Sequence, residues 1–362
     1  MDYMFLLGKN PELSVAEIES FLSSRTAYNV LEKTDLFLLA DIEHPQDWGM
    51  LGGTLKVAQM VATSLEATDF SALAAHAENK SLFSLVVMDD TDRKEAAAFI
   101  KQQIKKAGPH LGYRKKELTH TELIKKGVLD TGFELILLPK RVCRTVFAHN
   151  PFEFRKRDLE RPCQRPIFSI PPRLARIMLN LAQVHAGETA CDPFCGTGTI
   201  LQEAALMGVK PVGSDINPLC VQWARKNLIW IRAQYKKPFS FDIIHTDARA
   251  IGKQFSNLDC IVTEPDLGPP LKRPPSPNEA ERIFSSLRPL YRDFFRAAAI
   301  ALKPGGRLCV VVPAFRQREG LLEMGAGRLL QAAGFSAHPW VDSDPRDKTI
   351  RQIWVAIKTP FK

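Results

Sequence analysis

Beyond residue 170 the chain alternates strictly between short apolar runs and stretches of helical periodicity. Strand-type runs fall at 189–192, 210–213, 241–245, 258–263 and 307–312, with helical patterns between them. This alternation is the strongest constraint on the fold. Consecutive strands joined through a helix run parallel, and such crossovers are right-handed. The expectation is a doubly wound α/β sheet whose ligands sit beyond the carboxyl ends of its strands. Two further runs, 337–340 and 352–358, have no helix between them and are expected to close the sheet as an antiparallel pair.

The first strand–helix connection is the most specific local signal. It reads Thr189-Ala-Cys-Asp192-Pro-Phe-Cys-Gly196-Thr-Gly198-Thr-Ile200. Glycines let backbone approach a ligand or take a positive φ, and Gly208 is placed to end the helix that follows. A nicotinamide site would show GxGxxG with a pyrophosphate on the helix N-terminus. Here the third glycine is absent, and Asp192 would repel a pyrophosphate. Asp192 suits the ammonium group of an amino acid instead, and S-adenosylmethionine carries that group and no phosphate. Asp215, one βαβ step on, is placed either to accept from both ribose hydroxyls or to cap the helix starting at Asn217-Pro218. Asp247 ends the third strand and is placed either to accept from an adenine amino group or to close an ordinary turn. Lys303-Pro-Gly-Gly306 reads as a tight turn into the strand at 307–312. In order and spacing these features resemble the class I S-adenosylmethionine-dependent methyltransferases, over roughly residues 168–362.

The strand at 258–263 runs into Glu264-Pro265-Asp266-Leu267-Gly268-Pro269-Pro270. Amino-methylating members of that class carry an acidic or amide residue, two prolines and an aromatic at this point. An exocyclic amine on a base is a poor nucleophile, because its lone pair is delocalised into the ring. The site must accept hydrogen bonds from the NH2 and aim it at a methyl group about 3 Å away. Glu264 and the Pro265 carbonyl fit that plan, and Asp266 stands as a second acceptor where the pattern has its second proline. No aromatic stands at Leu267. A stacked ring is worth about 1–3 kcal/mol of base binding, and Phe315 is the candidate substitute.

The N-terminal half reads differently. Residues 1–65 suggest a β-α-β-β-α-β unit, with Ser14 and Glu17 spaced as a capping box. Residues 66–150 hold a strand at 82–88 and a helix from Asp92 with Ala96, Phe99, Ile100 and Ile104 on one face. A short basic helix at 121–126 and strands at 134–138 and 142–148 follow. Residues 151–168 are rich in Arg, Pro and Phe without periodicity, which reads as a basic linker before a domain at 169–362.

The formal net charge of +9 favours polyanionic partners. It is concentrated at Arg141, Arg144, Arg155, Lys156, Arg157, Arg161, Arg165, Arg173 and Arg176, opposed by Glu153, Asp158 and Glu160. Arg155, Arg157, Arg161 and Arg165 are candidates for bidentate phosphate contacts, with internal pairing to Asp158 and Glu160 as the alternative. Lys115, Lys116, Lys125 and Lys126 read as a second phosphate patch or as a solvated helix face. Seven scattered cysteines without a CxxC pair, and eight histidines without ligand spacing, point to no metal. No apolar run is long enough for a bilayer, and the opening residues lack the pattern of a secretory signal. A cytoplasmic location is expected.

Three segments carry a more specific resemblance: Leu7-Gly-Lys-Asn-Pro-Glu-Leu-Ser-Val-Ala-Glu-Ile18, Arg157-Asp-Leu-Glu-Arg-Pro162, and Ser169-Ile-Pro-Pro-Arg-Leu-Ala-Arg-Ile-Met-Leu-Asn-Leu-Ala182. They resemble the tRNA guanosine-10 N2-methyltransferase family over nearly the whole chain. The resemblance implies a ferredoxin-like region (1–65), a THUMP RNA-binding domain (66–150) and a class I methyltransferase domain. It implies methylation of a guanine N2 in tRNA, and places Ser169, Ile170 and Pro172 at the cofactor. The candidate cofactor set is completed by Asp192, Phe194, Gly196, Thr197, Gly198, Asp215, Ile216, Asp247 and Ala248. The candidate catalytic set is Glu264, Pro265 and Asp266. Another RNA such as rRNA, DNA methylated at an adenine amine, and a non-catalytic RNA-binding protein remain as alternatives. A small activator subunit, or an assembly beyond a monomer or weak oligomer, leaves no sequence signal.

Overall fold

The structure is a computed structural model that describes residues 1–75, 77–78, 82–107, 112–113, 118–165, 169–318, 320–342 and 347–359, with Val341 by its backbone alone. Its contacts form two units. One comprises Met1–Val15, Leu22–Gly49 and Gly53–Glu153; the other comprises Phe154–Lys362 with the short pieces Ala16–Phe21 and Met50–Gly52.

The first unit is built on eight strands: β1 (Asp2–Leu7), β2 (Tyr28–Lys33), β3 (Phe37–Ile42), β4 (Thr54–Ala62), β5 (Leu82–Val87), β6 (Gly112–Tyr113), β7 (Phe133–Leu138) and β8 (Arg141–Ala148). They lie in the order β2-β3-β1-β4-β8-β7-β5-β6. The β1–β4 half is antiparallel throughout, as the ferredoxin-like order requires. A 3-10 turn at Trp48–Met50 stands where a second helix was expected, because Gly49, Gly52 and Gly53 disfavour a longer one. The helix Pro11–Ser23 starts earlier than the Ser14 signal suggested. Asn10 caps it, accepting from Leu13 N–H, with proline at the first position. Ser14 sits inside the helix with its hydroxyl on the Asn10 and Gly53 carbonyls.

β4 pairs with β8, so residues 1–65 and 66–150 contribute four strands each to one sheet. Phe83, Leu85, Phe133 and Leu135 pack against Ile100 and Ile104 of the helix Arg93–Ala107. Within this sheet Glu134 is completely buried. It accepts from Lys56 Nζ at 2.9 and 3.0 Å, from Thr145 at 2.8 Å and from Ser84 at 3.3 Å.

The second unit carries β9 (Thr189–Asp192), β10 (Lys210–Asp215), β11 (Asp242–His245), β12 (Leu258–Thr263), β13 (Leu302–Arg316), β14 (Leu321–Glu323), β15 (Phe335–Asp342) and β16 (Ile350–Lys358). The order is β11-β10-β9-β12-β13-β16-β15, with β14 on β13. The first five of that row are parallel, and β16 and β15 close the edge antiparallel, as the alternation predicts. The order reverses between β9 and β12, which makes their carboxyl ends the switch point where doubly wound folds bind ligands. Tyr291, Phe294 and Phe295 of the long helix Pro277–Ala301 are fully buried against Leu308, Val310 and Val312 of β13.

Composition suggested an irregular linker after residue 150, but Pro151–Leu159 is helical. Asn150 accepts from Phe152 N–H at its start, and Pro151 suits a first turn. Phe154 and Arg157 are buried three residues apart, on one helix face. Among the described residues no helix is long and apolar enough to cross a membrane.

Candidate active site

Asp192 ends β9 at 2% exposure. Its Oδ1 accepts from Thr263 Oγ1 at 2.6 Å and from Phe194 N–H at 3.1 Å, while Oδ2 has no partner among the described residues. Burial pushes its carboxyl up to about 7; Asp215 and Glu264 push the same way, and the two hydrogen bonds oppose. Ser169, Ile170, Asp192, Phe194, Gly196, Thr197 and Glu264 line one cavity here. Ser169 and Thr197 hydroxyls lie 3.4 Å apart across it, and Phe194 sets its edge against Phe294 at 5.2 Å. Pro172 starts the helix Pro172–Leu181 beside Ile170 and is buried.

The two loop glycines do different work. Gly196 has φ +51, and a Cβ there would meet only the Phe194 carbonyl at 4.0 Å, so the loop leaves space above it. Gly198, at φ +84, faces Ala224, where a Cβ would come within 3.2 Å. Its bare Cα serves the packing of helix Thr199–Leu206 on helix Pro218–Gln234.

The two acidic strand ends also differ. Asp215 accepts from Gly196 N–H at 2.9 Å and from Asn217 N–H at 2.8 Å. The helix cap is Asn217, which accepts from Leu219 N–H, so the capping alternative for Asp215 is excluded. Its two oxygens retain lone pairs for further donors. Ile216 beside it is 65% exposed. Asp247 instead caps the 3-10 turn Ala248–Ala250 and pairs with Arg249, which holds its carboxyl below the usual range. Ala248 is buried in the hydrophobic core.

Glu264 leaves β12 at the lip of the Asp192 cavity. Its Oε1 accepts from Arg351 Nε at 2.6 Å, and Oε2 has no partner among the described residues. Pro265 is buried. Asp266 is exposed, and its Oδ1 turns back on its own loop to accept from Gly268 N–H at 2.9 Å. The Tyr291 hydroxyl donates to the Asp266 carbonyl at 3.0 Å and anchors the loop to the long helix. Phe315 cannot serve as a stacking platform, because it is 1% exposed and stacked on Phe284.

Residues 160–331 match the family described as "UPF0020: RMKL-like, methyltransferase domain". The tRNA (guanine(10)-N2)-dimethyltransferase of Methanothermobacter thermautotrophicus is 31% identical over 338 residues, covering 89% of this chain and 92% of that protein. The chain belongs to the tRNA (guanine(10)-N2)-dimethyltransferase family. A family member from Pyrococcus abyssi is 27% identical over 74% of this chain and 78% of its own. The crystal structure of TrmN from Thermus thermophilus shares the fold along 99% of this chain and all of that one, with a TM-score of 0.51 at 17% identity.

The cofactor of this methyltransferase domain is S-adenosylmethionine, and the cavity suits it. An oxygen of Asp192, a residue lining the cavity, has no donor among the described residues, and an ammonium group is one. The space over Gly196 admits backbone-close contact, and Asp215 stands at the loop with lone pairs to spare.

Part of the basic stretch, Arg157, Arg161 and Arg176, is buried. Arg157 spends all three of its nitrogens on Glu203, at 2.5 and 3.2 Å, and on Tyr235, at 3.3 Å. Arg176 joins the same carboxylate at 2.7 Å. Arg161 is 3% exposed and donates to Thr199, with Asp158 at 3.7 Å. Arg157 and Arg161 are therefore not phosphate contacts, while Arg155 and Arg165 are exposed. Lys125 and Lys126 are also exposed; Lys115 and Lys116 lie outside the described residues.

Three residues that sequence reasoning passed over hold the site: Thr263 on Asp192, Tyr291 on the loop and Arg351 on Glu264. The contacts of Thr263 and Arg351 span 71 and 87 positions, and no local pattern announces them.

Proposed function

We propose that this chain methylates the exocyclic N2 of guanine in tRNA, at position 10. The carrying observation is Glu264: a carboxylate at the rim of the Asp192 cavity with one oxygen anchored and the other unclaimed. Position 10 rests on the names of the two relatives that match most of the chain. A Thermus thermophilus tRNA (guanine(6)-N2)-methyltransferase matches only 41% of it.

In this reading Asp192 receives the ammonium group of the cofactor and Asp215 its ribose hydroxyls. Ser169, Ile170, Pro172, Phe194, Gly196, Thr197, Gly198 and Ala248 form or support the walls, and exposed Ile216 lies along the adenine. Asp247 reaches the adenine amino group only by sharing oxygens that Arg249 already holds. S-adenosylmethionine, when bound, supplies a methyl group on a sulfonium. Glu264 Oε2 and the Pro265 carbonyl accept from the guanine NH2, which turns its lone pair out of conjugation and aims it. Asp266 is a weaker second acceptor, since its loop already uses one oxygen. Arg155, exposed on its helix, is a candidate from the basic stretch to meet phosphate.

The test is methyl transfer from labelled S-adenosylmethionine to unmodified tRNA by wild type and by Glu264→Ala. The expected result is N2-methylated guanine at position 10, with turnover at least roughly a hundredfold lower in the variant. Mass spectrometry of the product nucleoside counts the methyl groups. No label in tRNA while cofactor binding is intact overturns the reading.

A further inference from the structure

Arg351 stands beside Glu264, where the reading above brings the substrate amine. β13 pairs Val310 with Thr263 of β12, and pairs Pro313, three residues further, with Arg351 of β16. Arg351 therefore lies beyond the carboxyl end of β12 and beside the last residues of β13, at the edge where Glu264 leaves the sheet. Its Nε donates to Glu264 Oε1, and the two side chains are 26% and 12% exposed. Neither Nη atom has a hydrogen-bond partner among the described residues. Asp342 and Asp347 act on it only through their charge. Arg157, buried in the same unit, uses all three of its nitrogens instead.

We propose that Arg351 determines base choice, its terminal nitrogens donating to the O6 edge of the guanine whose N2 faces Glu264. The proposal rests on the N2-guanine reading above. Along its Watson–Crick edge guanine presents the N2 amine, then N1–H, then the O6 acceptor, whereas adenine places a donor amine where O6 would be. Carboxylates accept from base amines, and arginine is the usual donor to guanine O6 and N7. The Glu264–Arg351 pair sets an acceptor, Oε2, and Nη donors, none of them partnered among the described residues, in the order that guanine requires. The ion pair also fixes the guanidinium before substrate arrives, so less freedom is lost on binding.

The experiment uses the full chain and tRNA transcripts carrying guanine or 2-aminopurine, which keeps the 2-amine and lacks O6, at the methylated position. Wild type is expected to prefer guanine by roughly 10- to 100-fold in kcat/KM. Arg351→Ala is expected to lower that preference at least tenfold. Arg351→Lys keeps a cation against Glu264 but not the planar donor pair, so it restores turnover without restoring the preference. A preference that survives in both variants overturns the proposal, because a purely structural arginine leaves base discrimination intact. If wild type methylates neither transcript, the N2-guanine reading fails separately. Guanosine and 2-aminopurine riboside binding to the chain with S-adenosylhomocysteine then decides: equal wild-type affinities overturn the role of Arg351, and a guanosine preference lost in Arg351→Ala supports it.

Discussion

Each eight-stranded sheet buries a carboxylate, and the two are treated in opposite ways. Glu134 receives Lys56 on both oxygens and two hydroxyls besides, all from within its own sheet. Asp192 receives two donors on one oxygen, and its charged neighbours are Asp215 and Glu264, which repel it. Glu134 belongs to a closed network, which contributes little over a well-packed apolar replacement but is costly to break. Asp192 belongs to an open one, whose missing partner in the proposed reading is the cofactor ammonium group. Burial is common to both; the unfilled oxygen is what marks a site.

The largest effect expected from this contrast comes from opening the closed network. Lys56→Met leaves Glu134 buried and alone, and denaturant unfolding should show about 3–5 kcal/mol lost. Replacing both partners, Lys56→Met with Glu134→Leu, should recover most of that. A single variant within about 1 kcal/mol of wild type would break the description of Glu134 as dependent on its cation.

Asp192 should respond with the opposite sign. Its carboxyl is raised from 3.8 to about 7 in the folded chain. A raised pKa means the folded state holds the proton more tightly. The stabilisation this gives is full below about pH 4 and is lost as pH rises through about 7. Asp192→Asn removes that dependence, so the ligand-free variant should be more stable than wild type at pH 8 by about 2 kcal/mol. The same change should weaken cofactor binding roughly tenfold or more, and wild-type affinity should rise between pH 6 and pH 8. Calorimetry in buffers of different ionisation enthalpy reads the accompanying proton release. Asp192→Asn being both less stable and still tight-binding would remove the distinction between the two carboxylates.

The smallest effect tests Asp247, which is neither closed in nor open. Arg249→Ala frees its half-buried carboxylate, and the melting temperature should not move measurably, as for ion pairs near the surface generally. Cofactor affinity should change by roughly twofold at most, upward if Asp247 reaches the adenine amino group.

Much of this was legible before any coordinates. Strand–helix alternation predicted the parallel row and its antiparallel closure, and the Asp192 loop and Glu264 were visible as short motifs. The misreadings are instructive because they share a cause. Arg157 and Arg161 looked like a phosphate-binding run, yet Glu203, 46 positions from Arg157, takes the first and Thr199 the second. Phe315 looked available until Phe284 covered it. Asn10 displaced Ser14 as a cap, since proline at position 11 already opens the helix there.

Periodicity, glycine placement and the order of acidic strand ends are local properties. They depend on dihedral preferences and on which face of an element must leave water, so sequence alone determined the architecture and the place of the glycine loop after β9. Which charges meet depends on register between strands far apart in the chain and on how much solvent packing removes. Tertiary structure alone therefore decided that Arg157 is spent, and that among the described residues one oxygen of Asp192 and the terminal nitrogens of Arg351 have no partner.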